Sequence, residues 1–268
     1  HNGSGDILVI KLNNSGILQW HTFLGSPGWD EAKDIQVDAG GNVYVTGRSD
    51  AGWGTPVTTH AGSTDAVVAV INGSTGNLTS HTFLGSTGAE EGHGIALDGS
   101  GNICIAGGGS ATWGSPVSPY GGSDDAFAAK LTNSLTVTWN TFIGTGGADF
   151  EYGYSISLDS SGNIYVSGEC QTEWGTPDSP HSGGMNDVFV VQLDNSGNEL
   201  WNTFLGSGTN MGMDFCGGIF VDSSDNFYVA GESDETWGTP LTAHNGGSFL
   251  DGFIVKYSPG AADTTSFI

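Results

Sequence analysis

The chain has 268 residues and a formal net charge of −24, which comes from 29 acidic and only 5 basic side chains. Nucleic acids and anionic membrane surfaces are bound through patches of positive charge, so this composition excludes both as expected partners. No apolar run approaches the roughly 18 residues that a membrane-spanning helix needs, which excludes membrane insertion as well. Glycine contributes 46 residues, many of them in polar turn segments, as is typical of a folded all-β protein.

Taken in chain order, the sequence begins with short apolar runs that are bounded by turn residues. Residues 6–12 and 17–24 form the first two predicted strands, with a tight turn between them. Residues 34–38 and 43–47 form the next two, joined by a turn rich in glycine and asparagine. A longer polar segment, residues 48–64, follows, and the pattern of the first strand then returns.

This four-strand pattern repeats along the whole chain. A Trp-Gly-Thr/Ser-Pro segment marks each period, and its copies begin at Trp53, Trp113, Trp174 and Trp237, with spacings of 60, 61 and 63 residues. The Asp-led strand occurs five times, beginning at Asp6, Asp65, Asp125, Asp187 and Asp251. Four short antiparallel strands per repeat, with no helical periodicity, are the pattern of a propeller blade. The predicted fold class is therefore an all-β β-propeller of four-stranded antiparallel blades.

Several stretches of the repeat resemble a known family. They include residues 125–131, the strand end Thr203-Phe-Leu-Gly206, and residues 155–168, which read Ser-Ile-Ser-Leu-Asp-Ser-Ser-Gly-Asn-Ile-Tyr-Val-Ser-Gly. These stretches look like the bacterial and archaeal β-propeller repeats called SBBP, and the Leu-Asp-Ser-Ser-Gly-Asn-Ile-Tyr-Val core is also similar to NHL-type blades. The resemblance covers nearly the whole chain and implies a propeller on a secreted or surface-exposed prokaryotic protein. It implies no particular activity, and the Trp-Gly-Thr-Pro segment is less typical of such repeats.

By similarity to such blades, the strands of each repeat are named A to D from the innermost strand outward. In this phase the chain is a single propeller domain, residues 1–268, with four full blades. The predicted blades span residues 33–91, 92–152, 153–216 and 217–268, and the last D strand is the degenerate stretch at residues 264–268. Residues 1–32 hold an extra pair of C and D strands, with a linker, that has no A and B partners.

Three arrangements account for this surplus pair. The chain could be a window on a longer array, the pair could complete or augment the sheet of a neighbouring chain in a fibre, or it could be an appendage of a four-bladed ring. An unpaired strand recruits other strands along its open edge. We therefore predict that the chain forms a homo-oligomer or polymer through the first strand, which consists of Asp6, Ile7, Leu8, Val9, Ile10, Lys11 and Leu12.

The four tryptophans of the Trp-Gly-Thr/Ser-Pro loops allow two interpretations. They could form a multivalent glycan-binding surface, because indole rings stack on the C–H faces of sugars while carboxylates accept hydrogen bonds from the hydroxyls. The alternative is that each ring packs into the groove between adjacent blades. Packing is the favoured interpretation, because a large apolar ring that recurs at one blade position is usually part of the core.

Acidic residues gather in the loops that lead from strand D to the next strand A, on the same face as the tryptophans. These candidate cation-binding residues are Asp30, Glu31, Glu90, Glu91, Asp149, Glu151 and Asp214. Carboxylates of this kind can collect Ca²⁺, which is the one cofactor that the sequence suggests. A solvated acidic surface that resists aggregation is the favoured interpretation, and the sequence has no His/Cys cluster with zinc-ligand spacing.

Other polar residues are predicted to have structural or surface roles. A His or Tyr follows each loop, at His1, His60, Tyr120, His181 and His244, and is expected to make structural hydrogen bonds. Cys170 and Cys216 both lie at strand ends and could form a disulfide, which leaves Cys104 unpaired. Asn-x-Ser/Thr triplets make Asn2, Asn13, Asn72 and Asn77 candidates for glycosylation.

No catalytic motif stands out in the sequence, which lacks Gly-x-Ser-x-Gly, a P-loop and His-Glu-x-x-His. The expected function is therefore that of a non-enzymatic, extracellular structural or adhesive propeller that associates with itself in a fibre, surface layer or biofilm matrix. The alternative is a multivalent lectin that uses the tryptophan loops. A hydrolase in the central channel ranks third, because it would need two carboxylates that face each other across a pocket.

Overall fold

A computed structural model describes residues 3–147, 149–208, 212–246, 250–257 and 266–267. All regular elements of these residues are β-strands, so the predicted all-β class is confirmed. Over the same ranges, no helix has the length and apolar character needed to span a bilayer. His1 and Asn2, for which hydrogen bonding and glycosylation were predicted, lie outside the described residues.

The strands form one two-stranded pair and four antiparallel four-stranded sheets, each built from consecutive strands. The N-terminal pair consists of β1 (Ile7–Leu12) and β2 (Leu18–Leu24). The first sheet contains β3 (Asp30–Val37), β4 (Val43–Ser49), β5 (Asp65–Ile71) and β6 (Leu78–Leu84). The second contains β7 (Glu90–Leu97), β8 (Ile103–Gly109), β9 (Asp125–Leu131) and β10 (Val137–Ile143).

The third sheet contains β11 (Glu151–Leu158), β12 (Ile164–Cys170), β13 (Asp187–Leu193) and β14 (Glu199–Leu205). The fourth contains β15 (Asp214–Val221), β16 (Phe227–Ser233), β17 (Asp251–Tyr257) and β18 (Ser266–Phe267). The surplus N-terminal pair is thus present, and the last strand pairs with β17 as an antiparallel neighbour. The repeated four-stranded units that the sequence predicts are confirmed.

The turn between the first two strands of each sheet is closed by an aspartate. In the first sheet, the Asp38 carboxylate accepts hydrogen bonds from the Asn42 backbone N–H at 2.8 Å and from its side-chain amide at 2.8 Å. Gly41 has a φ of +82°, a conformation that favours glycine. The same pair of contacts recurs at Asp98, Asp159 and Asp222. An aspartate therefore caps this hairpin in all four sheets.

The core lies between successive sheets rather than within one of them. Along β5, Ala66 and Val68 pack towards the second sheet, whereas Val67 and Ala69 pack towards the N-terminal pair. Strand alternation produces this two-sided burial, because neighbouring side chains point to opposite faces. The second and third sheets are therefore covered on both faces by the sheets before and after them in the chain.

The row of sheets is open at both ends. Strand β3 contacts β7, β7 contacts β11, and β11 contacts β15. At the N-terminal end, Leu8, Ile10 and Leu12 are 45%, 51% and 54% exposed. At the other end, Phe220 and Ile254 are also exposed. The structure therefore shows a row of repeated sheets with two uncovered apolar faces and does not show a closed ring.

The first strand of each sheet, which we call its inner strand, contains a β-bulge at the same position. These strands are β3, β7, β11 and β15, and the bulge was not predicted from the sequence. The pairing register shifts between Ala32 and Asp34 in the first sheet. The same shift occurs in the other three sheets. A bulge adds one residue to one strand and re-aims its side chain. The bulged residues are Lys33, His93, Tyr154 and Gly217.

Candidate functional site

The first residue of each inner strand is an acid, and the structure buries all four. The predicted loop acids Asp30, Glu90, Glu151 and Asp214 are at most 2% exposed. They begin β3, β7, β11 and β15, which start two to four residues before the predicted strand or blade. The predicted solvent-facing ring of carboxylates is therefore wrong for these four residues.

In the second, third and fourth sheets, this acid lies beside the Asp that begins the third strand of the preceding sheet. The gap between them is filled by the glycine of the Thr-Phe-Leu/Ile-Gly motif. A Cβ atom on Gly206 would lie 2.6 Å from Asp187 Oδ1 and 2.7 Å from Asp214 Oδ2. On Gly85 it would lie 2.5 Å from Glu90 Oε2 and 2.8 Å from Asp65 Oδ1. Where the first sheet meets the second and the third meets the fourth, a pair of carboxylates therefore leaves room only for glycine at this position. We call the places where consecutive sheets meet junctions.

At the junction between the first and second sheets, the hydrogen bonds come mainly from backbone N–H groups. Ser86 donates its N–H to Glu90 Oε2 at 2.7 Å, and Ala61 donates its N–H to Asp65 Oδ2 at 2.7 Å. At the next junction, Asp125 Oδ1 and Glu151 Oε2 are buried and have no hydrogen-bond partner. Two buried carboxylates without full hydrogen bonding favour the protonated form, because burial and mutual repulsion both disfavour charge.

Burial and repulsion raise the pKa values of these acids. Burial, followed by the charge of Asp125, raises the pKa of Glu151 to about 7. Burial also raises the pKa of Asp125 to about 6. The pKa values of Glu90 and Asp214 are raised in the same way, first by burial and then by the neighbouring aspartate. At the junction of Asp125 with Glu151, folding near neutral pH therefore favours proton uptake.

The second acid of each predicted pair has a different environment. Glu31 and Glu91 are half-buried and belong to a chain of alternating charges across the inner strands of two sheets. Arg48 joins them, with Nε 3.3 Å from Glu31 Oε2 and Nη1 2.6 Å from Glu91 Oε1. Lys33 Nζ lies 2.8 Å from Glu31 Oε1, and His93 Nε2 lies 3.5 Å from Glu91 Oε2. The hydrogen bond from His93, with help from Arg48, lowers the pKa of Glu91 to about 2.

The charge chain ends on aromatic side chains of the third sheet. His93 stacks on Tyr154 with ring centroids 5.2 Å apart, and its Nδ1 lies 3.1 Å from the Gly153 carbonyl oxygen. Tyr154 in turn stacks on Tyr152 at 6.2 Å. This cluster was not predicted from the sequence. The available signal was that Lys33, His93 and Tyr154 differ at one position of an otherwise regular repeat.

The structure describes no dedicated metal centre among its residues. Asp149 Oδ2 accepts a hydrogen bond from Thr172 Oγ1 at 3.1 Å, and Asp30 Oδ2 accepts one from the Ser26 N–H at 2.7 Å. Within the described ranges, no group of three or more His, Cys, Asp or Glu side chains is arranged to hold a metal ion. Binding of Ca²⁺ by these acids stays a prediction.

The tryptophans of the repeated loops pack on aromatic side chains. Trp53 stacks on His81, with ring centroids 3.9 Å apart and an interplanar angle of 1°. Trp113 is 5% exposed and meets Phe127 edge-on at 5.3 Å. Trp174 and Trp237 make similar edge-on contacts with the equivalent phenylalanines of their own sheets. This placement agrees with the packing interpretation, and glycan binding at these residues stays a prediction.

The residues after the loops make hydrogen bonds to the backbone, as expected. His60 Nε2 lies 3.0 Å from the Ser49 carbonyl oxygen, and the Tyr120 hydroxyl donates to the Ser110 carbonyl at 2.9 Å. At His181 and His244 the ring Nδ1 accepts the N–H of the residue two positions later, at 3.1 and 3.0 Å.

The cysteines and the described glycosylation candidates lie apart from these contacts. Cys104, Cys170 and Cys216 are all free thiols, so the predicted Cys170–Cys216 disulfide is wrong. Asn13 and Asn77 are exposed on turns and Asn72 is half-buried, and modification of all three stays a prediction.

Strand β1 contains the residues through which self-association was predicted from the sequence. In the four sheets, the third strand pairs on one side with the second strand and on the other with the fourth. Strand β1 corresponds to a third strand, and its described pairing is with β2 alone. The pair is held in place by Lys11 Nζ and Trp20 Nε1, which donate to the Gly73 carbonyl at 2.6 and 3.0 Å. These two hydrogen bonds anchor the pair to the first sheet, and among the described residues the other edge of β1 is unpaired.

Comparisons with known proteins establish the fold alone. No family model matches the sequence, and no characterised protein matches it either. A solved structure of a protein of unknown function from Bacteroides caccae is similar, with a TM-score of 0.54 and 11% sequence identity. The similarity covers 100% of this chain and 70% of that one. The class defined by fold and site is thus an all-β protein of repeated four-stranded sheets, and no narrower family is shown.

Proposed function

We propose that the chain is a propeller-type repeat module with a non-enzymatic structural role, which assembles with further protein through its open ends. The observation that supports this most directly is a difference in side-chain exposure between β1 and β5, the third strand of the first sheet. Leu8 and Ile10 are about half exposed, whereas their counterparts Val67 and Ala69 in the first sheet are fully buried. Contiguous exposed apolar side chains of this kind usually mark an interaction site.

The edge of β1 adds hydrogen-bonding capacity to that apolar face. An extended edge can pair with a strand from another chain, which then contributes backbone hydrogen bonds and side chains for alternate pockets. The low content of basic residues and the resemblance to SBBP-type repeats support an extracellular or cell-surface setting. In that setting the module would serve in a fibre, a surface layer or a biofilm matrix.

Self-association of the purified protein tests this proposal. Light scattering coupled to size-exclusion chromatography, and negative-stain electron microscopy, should show oligomers that grow with protein concentration. A Leu8→Lys/Ile10→Lys variant should shift the population to monomers, because two charges would have to be buried at the interface. The matched control is Val57→Lys/Val117→Lys, which changes two comparably exposed residues on loops. Strictly monomeric wild-type protein, or equal loss of assembly in both variants, would refute the proposal.

A further inference from the structure

A pocket lies at the opposite end of the row of sheets, on the fourth sheet. It has a volume of about 290 Å³, and its lining includes Trp237, His244, Asp251, Phe253 and Ile254. We call it the end pocket. It is built from the last loop that carries Trp-Gly-Thr-Pro and from the beginning of β17. The same region exists in each of the three preceding sheets, where it is filled.

Two segments fill it in the other sheets. The phenylalanine at the end of the fourth strand packs on the loop aromatics, as Phe83 does on Trp53 and His60. The loop that leads into the next inner strand lies beside the Asp that begins the third strand. Between the first and second sheets, the Glu90 N–H donates to the Thr64 carbonyl at 2.9 Å, and the Ser63 N–H donates to the Gly88 carbonyl at 3.2 Å. At the next two junctions, Glu151 N–H donates to Asp124 and Asp214 N–H donates to Asn186, at 2.8 and 3.1 Å. Each junction therefore contains one short parallel bridge between a loop and the preceding sheet.

These loops share a chemical pattern. Each begins with the motif glycine followed by Ser or Thr, and each ends with the buried acid that starts the inner strand. The four copies are residues 25–30, 85–90, 144–151 and 206–214. In the end pocket, Asp251 is the counterpart of Asp65, and it already accepts the Asn245 N–H at 2.7 Å. One half of a carboxylate junction is thus in place, with its side chain 37% exposed.

The apolar face of β17 beside the pocket is also uncovered, whereas its counterparts in the other sheets are buried. Ile254 is 48% exposed, and its counterparts Val68, Ala128 and Val190 are fully buried against the next sheet. Phe253 and Val255, on the other face of β17, pack in the core between the third and fourth sheets. The exposed face of β17 therefore has the place and polarity of a sheet-to-sheet contact.

We propose that the end pocket binds a loop-and-hairpin segment of this same repeat type: a Gly-Ser/Thr loop that ends in Asp or Glu and continues into an inner strand and its hairpin partner. The three filled junctions show how each part of such a segment would sit. The loop acid would meet Asp251, the loop backbone would form the parallel bridge, and the inner strand would cover Ile254. This inference rests on the proposed function, because it names the partner of one open end.

Binding of a synthetic segment tests the inference. The probe is a fluorescein-labelled peptide with the sequence of residues 25–50, which contains the loop, the inner strand and its partner but no cysteine. Fluorescence anisotropy with the whole protein should show saturable binding of one peptide per chain. Ile254→Lys in the protein should weaken binding at least tenfold, whereas Val117→Lys should leave it unchanged. A scrambled peptide should not bind.

A fusion gives a second readout that does not depend on the weak folding of a free peptide. Residues 25–50 are appended to the chain after residue 268 through a flexible linker of about 12 residues. The fusion should have a higher Tm than the parent chain by several degrees, and Ile254→Lys should abolish the increase.

The outcomes separate this inference from the proposed function. Peptide binding that survives Ile254→Lys and is lost in Leu8→Lys/Ile10→Lys would place the segment on β1 and overturn the inference. Self-association without peptide binding or a rise in Tm would also overturn it while leaving the proposed function intact. Peptide binding by a protein that stays monomeric would support the end pocket and refute self-association.

Discussion

The carboxylate junctions make a specific prediction about pH, which Glu151→Gln isolates. Glu151 has an ordinary pKa of 4.5 that burial and Asp125 raise to about 7 in the folded protein. An acid with a raised pKa binds more protons in the folded state than in the unfolded state, so the free energy of unfolding falls as pH rises between the two values. The shift corresponds to a loss on the order of 3 kcal/mol between about pH 4.5 and pH 7.5.

Glutamine keeps the shape of the protonated acid and cannot ionise. Glu151→Gln should therefore have nearly the stability of the wild type at pH 4.5 and should be more stable by about 2–3 kcal/mol at pH 7.5. Urea denaturation at pH 4.5, 6.0 and 7.5 measures the difference, in which the contributions of groups that do not interact with Glu151 cancel. The control is Glu232→Gln, at an exposed position, which should give parallel curves. Parallel curves for Glu151→Gln itself would refute the argument that this carboxyl is buried and protonated.

Three further predictions address packing, the motif glycine and the charge chain. Trp113→Ala should lower the free energy of unfolding by about 3–5 kcal/mol in urea denaturation, whereas Trp29→Ala, at an exposed position, should change it by less than about 1 kcal/mol. Equal effects of the two substitutions would contradict the buried packing of Trp113. Gly206→Ala should destabilise the protein by more than about 1 kcal/mol, because the new methyl group would meet both flanking carboxylates, and an unchanged midpoint would show that the junction is looser than described. His93→Gln should raise the pKa of Glu91 from about 2 towards its ordinary value, which ¹³C NMR titration of the carboxyl group measures. An unchanged pKa would show that Arg48, and not His93, lowers it.

The architecture could be predicted from the sequence because every local signal occurs four or five times. The turn at Asp38 is an example, since its Asp and Asn are four residues apart and recur in each sheet with the same hydrogen bonds. The surplus N-terminal pair could be predicted for the same reason, because the Asp-led strand has one more copy than the Trp-Gly-Thr/Ser-Pro segment. The repeats could therefore be compared with one another, and the residues that recur in all of them identified the strands and turns.

The junctions and the charge chain could not be predicted in the same way. Charged residues are almost never fully buried, so Glu90 and Glu151 next to polar loops looked like surface residues. The signal for their burial was the glycine that precedes each loop, but its cause becomes visible only when two sheets meet. Arg48 and Glu91 are 43 residues apart in sequence and come into contact only through the packing of neighbouring sheets. Such contacts depend on the relative twist of the sheets, which periodicity does not specify.

The bulged residue of each inner strand has no partner in the pairing register with the next strand. The positions on either side of it are constrained by pairing with the next strand and by contact with the adjacent sheets. The bulged position carries Lys33, His93, Tyr154 and Gly217, four side chains that differ in charge, size and aromatic character. An array that grows by duplication of its repeats can therefore acquire a different chemical group at each inner strand while the scaffold that displays these groups stays the same.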